Sequence, residues 1–290
     1  MRPTFAIFLD AIALTEVAPL HGDEAYTATT QYVPWPKAYG GDLVAQAAAS
    51  ATRSVGTERV LHSMHSYFMR PADIDAPVQY DVERLRDGRS YSTREVRATQ
   101  GGKVIFIALA SFQVPENGSE FAQRMPDGIP EPEDLPSSAE SVAGVDTAAA
   151  RYWSTGRSFD MRHVPGPVYF EVEGARTPHQ AVWLKSFDTL PDDPQLHRLA
   201  LAYVCDYTIL EPILLNQGHA WADEDLVTAS LDHSMWFHRD GRVDEWVLYA
   251  QEAVSQQHSR GLAHGNFFSH DGVLLASVAQ EGVIRVSARS

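Results

Sequence analysis

One carboxylate in the C-terminal half of the chain lies on a helix face that is otherwise apolar. Leu199, Ala202, Tyr203 and Ile209 recur at helical spacing, and Asp206 falls on the same face. Burial of a carboxylate is costly unless the group is hydrogen-bonded or has a function. Because buried ionisable groups cluster at functional sites, Asp206 is a candidate general base. The alternative is a structural aspartate that caps a neighbouring loop.

Gln280 and Ser230 lie on strand faces that their neighbours define. Leu274, Ala276 and Val278 occupy alternate positions before Gln280, which predicts that its amide points at a central helix. A core glutamine bonded to the backbone is the alternative. Ser230 shares its predicted strand face with two other polar residues, Asp232 and Ser234, and by itself would be an ordinary strand serine. If hydroxyl, amide and carboxylate converge, they can hold one water molecule for attack on an electrophile.

Other kinds of catalytic centre find little support in the sequence. His62 and His65 are three residues apart, and His233 and His238 are five apart, so on a strand each pair points to opposite faces. We therefore expect no metal site. Cys205 has no neighbouring histidine to activate it and is better explained as a buried structural residue. No Gly-x-Ser-x-Gly segment occurs, so a serine-hydrolase triad is not indicated.

An internal repeat predicts the elements that position these residues. Residues 230–239 resemble residues 62–70, and the two terminal arginines of these segments, Arg70 and Arg239, are 239 − 70 = 169 positions apart. Lys103 and Gly272, which follow in corresponding turns, have the same offset. A self-similarity of this length indicates a duplicated domain, because the repeats of solenoids are far shorter.

Each copy of the repeat is predicted to be a helix followed by an antiparallel meander. The fold class is therefore α+β, with a sheet curled around a helix twice and both sheets joined into one continuous layer. We expect an N-terminal unit at 1–115, a proline-rich linker at 116–165 with a small helix around 138–152, and a C-terminal unit at 166–290. The predicted helices run from Tyr39–Asp42 to about Ser54 and from about 195 to 210, and the predicted strands are 31–36, 61–70, 77–86, 90–99, 103–114, 168–173, 180–187, 226–238, 245–253, 259–268 and 272–286.

Composition excludes several classes of protein. A net charge of −15 argues against general nucleic-acid binding, since phosphate neutralisation needs a basic surface. No run approaches the roughly 18 apolar residues of a membrane span, so none is expected. The N-terminus reads as the first ordered element and not as a signal peptide. One cysteine suits a reducing cytoplasm, where we expect the protein to lie.

Five motifs together resemble the bacterial type II acyl-CoA thioesterases, the TesB-type family related to peroxisomal acyl-CoA thioesterases. The resemblance runs from about residue 30 to 286, with the motifs in the family's order. They are residues 39–47 (YGGDLVAQA), 62–71 (HSMHSYFMRP), 86–92 (RDGRSYS), 231–239 (LDHSMWFHR) and 278–282 (VAQEG).

The resemblance implies a double hotdog fold and hydrolysis of acyl-CoA to a free fatty acid and CoA, within fatty acid metabolism and without a cofactor. The family's catalytic aspartate, hydroxyl residue and glutamine fall on Asp206, Ser230 and Gln280. Ser230 departs from the threonine of the bacterial form but keeps the hydroxyl. A water molecule activated by these three groups would attack the thioester directly. At offset 169, the residue that corresponds to Gln280 in the first half is Ser111. The first half therefore does not repeat the catalytic set, and one active site per chain is expected.

Substrate contacts and assembly are further expectations. The N–H groups of Gly40 and Gly41, at the start of the first helix, would stabilise the oxyanion. Arg89 and Arg260 would bind the anionic end of CoA, and the arginines around Arg89 could form a phosphate cradle or only a solvated edge. We also expect a homo-oligomer.

Two alternative functions remain at this stage. An enoyl-CoA hydratase of the same fold needs a Gly-Asp-x-Asn-Pro-x-His segment, which is absent. A non-catalytic acyl-CoA binding module would keep the fold and the arginines but would not need all three polar groups.

Overall fold

The computed structural model describes residues 5–286 of the 290-residue chain. The first half begins with a short helix that the sequence did not predict. Its elements are α1 (Ala6–Ala11), β1 (Thr15–Val17), β2 (Glu24–Ala28), α2 (Gly40–Arg53), β3 (Val60–Phe68), β4 (Val78–Asp87), β5 (Tyr91–Gln100) and β6 (Lys103–Gln113). The remaining elements are α3 (Ser138–Ser141), α4 (Ala148–Thr155), β7 (Phe159–Val164), β8 (His179–Ser186), α5 (Pro194–Val204), α6 (Glu211–Gln217), β9 (Leu226–Ser230), β10 (Asp232–Phe237), β11 (Val247–Gln257), β12 (Arg260–Ser269) and β13 (Leu274–Val286).

The described strands form one continuous antiparallel sheet. Its order is β1-β2-β4-β5-β6-β3-β10-β13-β12-β11-β8-β7, and β9 pairs with β13 as a branch. The order β2-β4-β5-β6-β3 in the first half matches β8-β11-β12-β13-β10 in the second, so the predicted double hotdog is confirmed. The two halves join where β3 pairs with β10. His65 faces Ser234 at that junction, and these residues are 169 positions apart. A pseudo-twofold axis therefore passes between them.

Helix α2 is thin enough for the first-half sheet to wrap around it. Alanines make up much of the helix, and every residue from Gly41 to Thr52 is buried. It packs on β2 to β6, which supply the surrounding aromatic and β-branched side chains. Small residues let the strands approach closely, and the apolar surface they cover stabilises the unit.

The second central helix is α6 and not the single helix predicted at 195–210. That prediction was wrong because the segment breaks into α5, a 3₁₀ turn at Cys205–Tyr207, and α6. Pro212 lies in the first turn of α6, where its missing N–H has no helical partner to lose, so it begins a helix and does not end one. When the 169-residue offset is added to the residues of α2, it gives 209–222, a range that contains α6. Helix α6 packs on β8, β11 and β12 as α2 packs on the strands of its own half. Helix α5 packs against α2.

Three predicted strands need correction. Residues 31–36 are not a strand, because Pro34 and Pro36 cannot donate to a ladder; the strand that pairs with β4 is β2. Residues 168–173 are buried at Val168 and Tyr169 but bond irregularly, through carbonyl groups that accept from Trp221 and Ala222. The strand predicted at 226–238 is interrupted at Leu231.

The predicted linker at 116–165 contains regular structure. Helices α3 and α4 lie near the small helix expected there, and β7 adds an edge strand to β8. Strand β7 supplies Phe159 and Met161 to the main core.

The segment Pro194–Gln217 is long and apolar enough to cross a membrane by length and composition alone. Its most apolar window is 89% buried inside the protein.

Candidate active site

Three polar side chains from separate segments meet between the central helices and the sheet. Asp206 lies in the 3₁₀ turn after α5, Ser230 ends β9, and Gln280 lies on β13. The Gln280 amide nitrogen donates to Asp206 Oδ1 at 2.6 Å and to Ser230 Oγ at 3.0 Å. Ser230 Oγ donates to the same carboxylate oxygen at 3.2 Å. The structure therefore brings the three predicted residues into direct contact.

A local irregularity of the sheet turns Ser230 toward this site. Ser230 pairs with Gly282, whereas Ser234 pairs with Ala279, so four steps on one strand oppose three on the other. One extra residue in a strand reverses the face of every residue beyond it. Ser230 consequently does not share a face with Asp232 and Ser234, as the sequence pattern had suggested. Gln280 does point inward with Ala276 and Val278, as predicted.

The first half of the chain closes the site from the other side. The start of α2 lies against Asp206, and a Cβ atom on Gly40 would stand 2.5 Å from Asp206 Oδ2 and 3.1 Å from the Phe68 ring. At Gly41 a Cβ atom would stand 2.2 Å from the carbonyl oxygen of Tyr203. Both positions therefore require glycine. The N–H groups of Gly41 and Gly40, at the positive end of the α2 dipole, interact with the Asp206 carboxylate.

The surroundings of Asp206 shift the pKa of its carboxyl group toward neutral pH. Burial raises the pKa of Asp206 to about 6, and hydrogen bonds from Gln280, Ser230, Gly41 and Gly40 oppose that rise. A carboxyl group with such a pKa is mainly ionised at pH 7, so it can accept a proton. Asp206 and Ser230 keep partial solvent exposure, whereas Gln280 has none. The site is therefore closed to solvent on the side of the Gln280 amide and less completely buried on the side of Asp206 and Ser230.

Lys37 is a charged neighbour that the sequence analysis missed. Its Nζ donates to the carbonyl oxygen of Thr228, two residues before Ser230. Burial lowers the pKa of Lys37, and the negative charge of Asp206 opposes this shift. The repeat could have revealed the residue, because 206 − 37 = 169. The first-half counterpart of Asp206 is thus a cation.

The proposed CoA-binding arginines occupy different places. Arg260 begins β12 opposite Val283, and its Nε lies 3.1 Å from Oε1 of Glu281, the residue after Gln280. Arg89 is exposed in the turn between β4 and β5, at the end of the sheet where β3 begins. The catalytic candidates lie at the other end of β3, eight residues away at Phe68, or roughly 26 Å along the strand. The structure brings Arg260 near the site and leaves Arg89 apart.

Three other arginines of the β4–β5 hairpin are paired within the protein. Arg94 is buried and bonds to Ser54 and Asp87, which makes it part of the structure of the hairpin. Arg84 pairs with Glu24, and Arg97 pairs with Glu95. Most of this positive charge is therefore neutralised locally. Within residues 5–286, no group of three or more His, Cys, Asp or Glu side chains could hold a metal ion.

Family models match both halves of the chain. The model described as acyl-CoA thioesterase matches residues 154–283, and the model described as acyl-CoA thioesterase N-terminal domain matches residues 29–113. Human acyl-coenzyme A thioesterase 8 is 35% identical, over 96% of this chain and 90% of its own. Acyl-CoA thioesterase 2 of Haemophilus influenzae is 34% identical, over 91% and 93%.

A solved structure agrees with these relatives. Acyl-CoA thioesterase II TesB2 from Mycobacterium marinum superposes with a TM-score of 0.77 at 36% identity, covering 98% of both chains. Identity of this level over almost the whole length, together with the double hotdog sheet, is a specific match. The chain therefore belongs to the TesB-type family of type II acyl-CoA thioesterases.

Proposed function

We propose that the protein hydrolyses acyl-CoA to a free fatty acid and CoA by direct attack of a water molecule that Asp206 activates with the help of Ser230 and Gln280. The observation that carries the proposal is the mutual hydrogen bonding of these three side chains around one carboxylate. Membership of the family supports acyl-CoA as the substrate, and the three residues support the mechanism.

The proposed reaction needs one proton acceptor and no covalent intermediate. As the water oxygen forms its bond to the thioester carbonyl carbon, Asp206 takes the proton that the water loses. The tetrahedral intermediate then collapses, the carbon–sulfur bond breaks, and the proton passes from Asp206 to the departing sulfur. Ser230 and Gln280 fix the orientation of the carboxylate and of the water beside it.

The N-terminus of α2 interacts with the Asp206 carboxylate. The Gly40 and Gly41 N–H groups stabilise ionised Asp206 before the reaction. Stabilisation of the oxyanion by the same groups stays a prediction, as do CoA binding by Arg260, a cytoplasmic location and homo-oligomer formation.

A steady-state assay of free thiol release from acyl-CoA tests the proposal. Asp206→Asn keeps the shape of the side chain but removes the base, so we expect kcat to fall by roughly 10²- to 10⁴-fold. Lys185→Gln, which also removes one charge, is a suitable control because Lys185 lies on β8 away from the site. Absence of thiol release by the wild type would favour a binding module, and an unchanged kcat in Asp206→Asn would refute the mechanism.

A further inference from the structure

A buried histidine lies behind the Gln280 amide, on the side away from Asp206. His233 Nδ1 is 2.7 Å from Gln280 Oε1, and His233 has no solvent exposure. His233 lies on β10 between β3 and β13, and its carbonyl oxygen accepts from the Ser66 hydroxyl. The ring is therefore held on a rigid central strand. From its spacing to His238, His233 had been considered only as a possible metal ligand.

The polar atoms around the Gln280 amide show which end needs a fixed partner. At the nitrogen end, Ser230 can donate or accept, so it does not select the orientation of the amide. Asp206 selects the NH₂ group only while it is ionised, because a protonated carboxyl group can donate to an oxygen as well. The proposed reaction protonates Asp206 in every turnover. A second contact is thus needed to keep the amide from flipping.

His233 supplies that contact in one protonation state. Gln280 Oε1 can only accept, so His233 Nδ1 must carry the hydrogen. Burial lowers the pKa of His233 to about 4, although the hydrogen bond to Gln280 has the opposite effect. The ring is therefore neutral, and Nε2 can accept a hydrogen bond. Cys205 Sγ lies 3.3 Å from Nε2, while its S–H donates to the Ala202 carbonyl oxygen at 3.0 Å, so the Gln280 contact alone fixes the tautomer.

We infer that His233 is a positioning residue whose Nδ1–H holds the Gln280 amide with its NH₂ group toward Asp206 and Ser230 throughout the reaction. The inference rests on the proposed function of Asp206 and Gln280. It adds a fourth residue to the site, one that does not touch the substrate and acts through Gln280 alone.

The test compares two substitutions of the same ring. His233→Leu removes the donor, so kcat should fall by roughly 10- to 100-fold, as for the loss of Gln280 itself, while KM changes less than about threefold. His233→Asn keeps an N–H close to the position of Nδ1 and should recover most of the lost kcat. The double variant His233→Leu/Gln280→Ala should be no slower than Gln280→Ala, because both changes remove one function.

A second histidine controls for the loss of a buried ring. His197 is also buried, accepts a hydrogen bond from the Val243 N–H at 3.2 Å, and lies on α5 nine residues before Asp206. His197→Leu should lower the melting temperature and leave kcat within about twofold. If His233→Leu behaves in the same way, His233 is structural and the inference is overturned. Additive losses in the double variant, or no rescue by asparagine, would overturn it too.

Two further readouts separate the possible failures. If Gln280→Ala leaves kcat unchanged, the proposed function fails; if it lowers kcat while His233→Leu does not, only the present inference fails. Should His233→Leu not fold, ¹⁵N NMR of histidine-labelled wild-type protein reports the tautomer directly. We expect a neutral ring protonated at Nδ1, and a hydrogen on Nε2 instead would overturn the inference.

Discussion

The Asp206 carboxylate is the group whose ionisation the proposed reaction requires. Its pKa is raised to about 6 by burial, so the base form is lost as the pH falls through that value. We expect kcat for acyl-CoA hydrolysis to rise between pH 5 and 7 with a midpoint near 6, and to level off above it. The residual activity of Asp206→Asn should lack this midpoint. A variant that kept it would assign the titration to another group.

Gln280 and Asp206 should act as one unit. Gln280→Ala removes one orienting bond of about 1.5–3 kcal/mol, so kcat should fall on the order of 10- to 100-fold, less than for Asp206→Asn. Since both groups act on one water molecule, the double variant should be little worse than Asp206→Asn alone. Kinetics of the four proteins at one pH measure this, and fully additive losses would show that the two residues act separately.

Periodicity predicted two of the three catalytic candidates for sound physical reasons. Gln280 lies on the buried face of its strand, as predicted, whereas Asp206 points toward the site from a 3₁₀ turn and not from the helix that was predicted. Ser230 was put on the wrong face because an extra residue in a strand leaves no trace in an alternating pattern. His233 could have been found by the same rule as Gln280, since Met235 and Phe237 share its buried face.

The start of α2 must approach Asp206 more closely than a side chain permits. Gly40→Ala would place a methyl group within 2.5 Å of Asp206 Oδ2, which would displace the carboxylate or the helix. We expect kcat to fall by roughly 10²-fold or more with a smaller loss of stability, since a 1 Å misplacement can cost that much. Thiol release and thermal unfolding measure the two effects.

Gly118→Ala is the matched control for that substitution. Gly118 has no atom within 4 Å of an added Cβ and no positive φ. The variant should match the wild type in both kcat and melting temperature. Equal activity of Gly40→Ala and Gly118→Ala would mean that the close approach at α2 has no part in catalysis.

Elements were predicted best where one pattern spans their whole length. Helix α2 and strands β3 to β6 were located within two residues, because the strand faces alternate and every connection among these elements except β3–β4 contains glycine. The α5–α6 break was missed, since the apolar stripe continues through the 3₁₀ turn and Pro212 is compatible with either the end or the beginning of a helix. Nothing local in the sequence distinguishes these two outcomes.

The pseudo-twofold symmetry of the whole molecule sets the expectation for substrate binding. Arg260 lies beside the active half, and Arg89 lies in the corresponding hairpin of the other half. Arg260→Gln should raise KM for acyl-CoA roughly 3- to 10-fold with a smaller effect on kcat, and Arg89→Gln should raise it less. Glutamine is preferred to glutamate because a new carboxylate would repel Glu281. Equal effects would place CoA across both halves.

The repeat predicted the architecture because one fixed offset relates the elements of the first half to those of the second. The two edge strands, β1 and β7, escaped prediction because neither has a counterpart in the other half of the chain, and β2 was missed because its partner β4 is distant in sequence. The segment 116–165 was taken for a linker from its prolines. Its contribution to the core depends on tertiary contacts that composition does not reveal.

The proximity of Lys37 and Asp206 has a consequence for the fusion of the two units. In a dimer of two identical chains, corresponding positions hold the same residue, so a carboxylate near the twofold axis would meet a second carboxylate. In a single chain the two corresponding positions can hold different residues. Here the position that corresponds to Asp206 holds the cation Lys37, which attracts the carboxylate. Covalent linkage thus let the two copies become electrically unlike, a pairing that no symmetric homodimer of one hotdog unit can make.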